Sequence, residues 1–309
     1  MNRFLSAILI FILLFCISCD SGLSRADDPA AVENPSTALP PQGTTGSIPQ
    51  ITFEQSADNP YKSMTETREF WWFYIHEFFH DAEEITVEYN AYSNQYVSED
   101  TLDRFTLRFS LPSMVDDNAF SKSFNAFYAD KAEKILSIEN SFQQDYASHG
   151  LGYPFSYDMA VFKVYRWQNF CVVISTETTM FGREFANPIG ETFDMTTGRR
   201  INLSDLFYVE EDEYEPILRE VLRNPVFPPY TAQMLSPDAD KLPIPLPDNE
   251  NFSVSPGSFA LSPVGIVFMY QTTEISATAG GPVFLIVPYA EIADILNPTL
   301  FGQIAGNKN

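Results

Sequence analysis

Residues 116–136 are the longest stretch of this chain with helical spacing, and they stand among segments that alternate as strands do. Phe120, Phe124, Phe127 and Tyr128, then Ala132 and Ile135, recur three and four apart and lay one apolar stripe along a helix. Asp116 or Asp117 can cap it. Before it, residues 84–92 alternate, and so do residues 101–111, with Leu102, Phe105, Leu107, Phe109 and Leu111 mostly on one face and Pro112 as a stop. After it, strands are predicted over 157–167, 169–180 and 191–195, and a turn at 196–198 folds the last of these back onto 199–203 as a hairpin. A short helix covers 212–223, with Pro216 in its first turn. Residues 225–250 are rich in proline and lack periodicity, which predicts a loop. Strands 252–261, 265–271 and 282–287 follow, and Pro288 opens a short helix over 289–296. One long helix, two short helices and a majority of strands predict an α+β fold, a mainly antiparallel sheet packed against the long helix.

The amino terminus carries an address. Arg3 makes a short positive region, and residues 4–18 are an uncharged apolar run, short for a bilayer-spanning helix of about 20 residues. The run ends in Cys16-Ile17-Ser18-Cys19, which resembles the lipobox of bacterial lipoproteins, with Cys16 where that pattern usually has Leu. Residues 1–18 are therefore expected to be a cleaved signal peptide, and Cys19 to carry lipid that anchors the chain outside the cytoplasm in the cell envelope. Residues 19–50, rich in Pro, Ala, Ser, Thr and Gly, cannot bury enough surface to offset ordering and read as a tether with a reach on the order of 30 Å. Of three cysteines, Cys16 leaves and Cys19 is modified, so Cys171 alone remains and no internal disulfide forms. Removal of residues 1–18 takes away Arg3 and moves the formal charge from −23 to −24. Such acidity opposes nucleic-acid binding and favours a basic protein or a cation as partner.

Two stretches carry a family likeness. Phe193-Asp194-Met195-Thr196-Thr197-Gly198-Arg199-Arg200-Ile201-Asn202-Leu203-Ser204-Asp205-Leu206-Phe207 is one; residues 259–296, with GIVFMYQTTEISATAGGPVFLIVPYAEIADIL at their heart, are the other. Together they resemble the extracellular C-terminal domain of the anti-sigma-V factor (RsiV-like), over residues 105–297. The resemblance implies a long helix ahead of the strands and a binding or sensing role, since the best-known relatives bind lysozyme, a basic protein. The family's frequent Gly-Gly-Ala-His segment is replaced here by residues 183–188 (REFANP), which hold no His. Residues 51–104 are expected to pack an additional hairpin on this domain, and residues 298–309 to be a tail.

One motif speaks for an enzyme. His76-Glu77-Phe78-Phe79-His80 matches H-E-x-x-H, in which two His one helical turn apart hold zinc while the Glu activates water. The crowded aromatics of residues 70–75 and the strand predicted just after favour an extended segment instead, with Trp71, Phe73, Ile75 and Phe79 on one face. His149, in a predicted loop, is the only other His. Cys171 sits in an apolar strand and reads as a small buried hydrophobe. Residues 210–213 (EEDE) lack the fixed oxygen spacing of a calcium loop and read as solvated surface. No Gly-rich phosphate loop or Ser-centred nucleophile elbow is present. The expectation is a non-catalytic envelope binding domain without a cofactor; the alternative is a zinc metallohydrolase using His76, Glu77 and His80.

Overall fold

The computed structural model describes residues 54–56, 75–97, 104–149, 155–181, 184–223, 258–271 and 283–305. The stretches read as signal peptide (1–18), tether (19–50) and loop (225–250), with Cys19, lie outside them. Among the described residues no helix is long and apolar enough to cross a membrane.

A long helix sets the architecture. Helix α1 (Ala119–His149) buries Phe120, Phe124, Tyr128, Ala132 and Ile135 of the stripe read from the sequence, leaves its Phe127 half-buried, and adds Leu136. Its cap is Asn118, not Asp116 or Asp117: the Asn118 Oδ1 accepts from the Ser121 N–H at 2.8 Å. It also runs 13 residues past the predicted end at 136, because Glu139 continues the inward face and takes hydrogen bonds from Tyr92 and Asn94.

The strands on either side of α1 are β4 (Arg104–Ser113) and β5 (Phe155–Trp167), and they are parallel, as a helical crossover requires. Every other pairing in this sheet is antiparallel. Strands β1 (Glu54–Ser56), β3 (Glu88–Val97), β4, β5, β6 (Phe170–Phe181) and β7 (Glu184–Asp194) follow in that order, and β2 (Glu83–Glu84) pairs with the end of β5. Pro112 does not stop β4. The parallel ladder with β5 ends at Ser110, so Pro112 has only β3 beside it and its missing N–H costs no bond on the other side. β6 is apolar on both faces from Phe170 to Ile174 because both faces are covered.

A second sheet of β8 (Phe259–Ser262), β9 (Gly265–Tyr270) and β10 (Val283–Val287) is antiparallel in the order β10-β9-β8. It shares a core with Phe162, Tyr165, Val172 and Ile174, the sheet face turned away from α1, and with helix α2 (Glu211–Arg223) through Tyr214, Leu218 and Leu222. A bulge between Val161 and Lys163 rotates Phe162 and Tyr165 into that core. The two sheets meet where β8 passes β7. A Cβ on Gly190 would lie 2.7 Å from the Phe259 carbonyl oxygen and 2.9 Å from the Ala260 Cβ. The Gly190 N–H donates to the Ser258 Oγ at 2.6 Å, and the Leu261 N–H to the Thr192 Oγ1 at 3.1 Å.

Three further sequence expectations give way. Residues 75–78 are helical, not extended, and the Phe79 N–H bonds the Ile75 carbonyl at 3.1 Å. Ile75, Phe78 and Phe79 are buried at helical spacing, and Phe79 stacks on Tyr165 at 4.8 Å. β-propensity of aromatic residues misleads here because burial in the shared core decides. The partners of β3 are β1 and β4, so the proposed hairpin with residues 70–79 does not form; residues 70–74 lie outside the described ones. Finally, Tyr289–Glu291 is a short 3-10 turn, and the last helix, α3, is Pro298–Ala305, in the stretch read as a tail. Pro298 sets the first helical position, and the Asn297 Oδ1 accepts from the Thr299 N–H at 3.1 Å.

Candidate functional site

The His-Glu segment does not assemble a metal centre among the described residues. His76 and His80 are exposed, and the chain turns at residues 79–81 instead of continuing as a helix. The His80 Nδ1 faces the Glu77 carbonyl at 2.8 Å and its Nε2 faces Asp81 Oδ2 at 3.1 Å. No third His, Cys, Asp or Glu joins them, and no metal-holding group of three forms elsewhere among the described residues. Cys171 is fully buried and burial pushes its thiol up to about 12, so it is not a nucleophile at neutral pH. Glu210, Glu211, Asp212 and Glu213 are exposed at the start of α2, where they complement the helix dipole. His149 ends α1, and its side chain lies outside the described residues.

The chemistry that the sequence hid lies under α1. On the helix-facing side of the sheet, β5 presents Tyr157, β6 presents Ser175, Glu177 and Thr179, and β7 presents Glu191 and Phe193, by register. Phe193, from the Phe-Asp motif, packs on Phe124 at 5.2 Å and on Phe127 at 5.1 Å and so fixes the start of the helix. The turn after it brings Gly198, at a φ of 74°, against Ser123, where a Cβ would come within 2.8 Å. That contact seats Arg200 over the Phe127 ring at 5.8 Å.

Glu191 is 4% exposed and fully served. The Tyr128 hydroxyl donates to its Oε2 at 2.7 Å and the Lys131 Nζ to its Oε1 at 2.8 Å. Burial works to raise its carboxyl, but Lys131, Arg200 and these two bonds outweigh burial and hold it below the usual glutamate range. Glu177 differs. It is half-buried, bonded to Tyr157, and burial together with Glu191 pushes its carboxyl up, against the pull of Lys131 and that bond. Burial and these carboxylates drive both Tyr128 and Tyr157 well above the ordinary phenol range. Sequence reading passed over both glutamates because each sits in a strand read only for its apolar positions. The available signal was alternation: Glu191 shares a face with Phe193, and Glu177 one with Val173, so each occupies a core position.

The comparisons bear on the other layer. The family model described as "Protein of unknown function (DUF3298)" matches residues 204–290. Over those residues the chain is similar to that family. They comprise the end of the 3-10 turn after Asn202, α2 and the second sheet, so the DUF3298 part is the layer docked on β7 through Gly190. Two solved DUF3298 family proteins are similar. The one from Bacteroides fragilis NCTC 9343 is 17% identical with a TM-score of 0.48, covering 72% of this chain and 98% of its own. The one from Pseudomonas aeruginosa PAO1 is 14% identical with a TM-score of 0.43, covering 71% and 97%. No curated protein matches the chain. These findings name DUF3298 and not the anti-sigma-V domain of the sequence resemblance, and the family description brings no activity with it.

Proposed function

We propose that this chain is a bacterial envelope lipoprotein, held to a membrane by lipid on Cys19, whose folded domain binds a basic protein of the envelope, lysozyme-like in charge, without catalysis. The observation that carries this reading is where the charge sits. Among the described residues the buried carboxylates Glu191 and Glu139 are hydrogen-bonded within the fold, Glu191 by Lys131 and Tyr128 and Glu139 by Tyr92 and Asn94, and buried Asp158 is paired with Arg108. In a chain of net charge −23, further acids among the described residues are exposed, as at Asp81, Glu83, Asp116, Asp117 and residues 210–213. A surface of one sign speeds encounter with the opposite sign and discourages anionic partners. The lipobox-like Cys16–Cys19 segment and the tether supply the placement.

The test has two arms. Cys19→Ala should release the protein from membranes or leave an unprocessed precursor, and normal lipid labelling of that variant would refute the anchor. Lysozyme, as the basic probe, should bind the full chain in low salt, and Glu77→Gln should bind as well as wild type. Stoichiometric zinc together with peptide cleavage abolished by Glu77→Gln would replace the binding reading with that of a hydrolase.

A further inference from the structure

We draw no further inference here: the strongest candidate, the polar stretch on the face of the main sheet turned away from α1, where Arg108 pairs with the buried Asp158 beside Ser110, a fully buried residue whose hydroxyl lacks a hydrogen-bond partner among the described residues, carries nothing because nothing in the structure shows what covers it.

Discussion

Lys131→Met isolates the energetics of the site under α1. The substitution keeps an aliphatic side chain of similar length and deletes the ammonium, which donates to Glu191 at 2.8 Å and lies 5.8 Å from the centre of the Tyr128 ring. Removal of one partner from a buried pair leaves the other charge stranded, and typically costs about 3–5 kcal/mol. Two features of this site reduce that figure. The Lys131 side chain is 20% exposed, so its charge is partly hydrated already, and Tyr128 still donates to Glu191 while Arg200 still acts on it. We expect a loss of about 2–3 kcal/mol, read as a lower urea midpoint at unchanged slope. Glu191→Gln added to Lys131→Met removes the stranded charge, so the double variant should recover part of the loss, with a coupling energy of about 1–2 kcal/mol. Lys131→Met within about 0.5 kcal/mol of wild type, the range of ordinary surface substitutions, would refute the reasoning.

Two other sites give independent checks. Gly190→Ala places a methyl 2.7 Å from the Phe259 carbonyl, so β7 and β8 must separate; a stability loss of about 1–3 kcal/mol by urea unfolding is expected, and an unchanged midpoint would contradict the close approach of the sheets. Cys171 should resist thiol reagents in the folded chain and react only once denaturant opens β6, since it is 0% exposed and its thiol is pushed up to about 12; rapid labelling under native conditions would show the strand to be open.

Much of the fold was legible because periodicity reports burial. The Phe120–Phe124–Tyr128 stripe placed α1, and the alternation through Phe105, Leu107 and Phe109 placed β4, where cores cover one face of an element. Legibility failed where several covers compete. Ile75, Phe78 and Phe79 fit a helix, yet their aromatic neighbours suggested a strand, and only the shared core with Tyr165 and Phe284 decides. The continuation of α1 past residue 136 depends on Glu139 meeting Tyr92 and Asn94, 47 and 45 residues away along the chain, a contact that local spacing cannot carry. The buried glutamates were missed for the same reason. Glu191 in a strand is an anomaly until Lys131, 60 residues distant, is brought over it. His76 and His80 show the converse: a four-residue spacing is local information, while a metal centre needs a third ligand that the fold must deliver.

The rate at which the chain associates with lysozyme, measured by stopped-flow fluorescence across ionic strength, tests the proposed role most directly. An outward acid surplus facing a basic partner should make association fast in dilute buffer and slow it by tenfold or more (about one to three decades) as the Debye length shrinks from about 10 Å at 0.1 M salt to about 3 Å at 1 M. An association rate indifferent to salt, or no association in dilute buffer, would contradict the proposal that this surface is built to receive a basic protein.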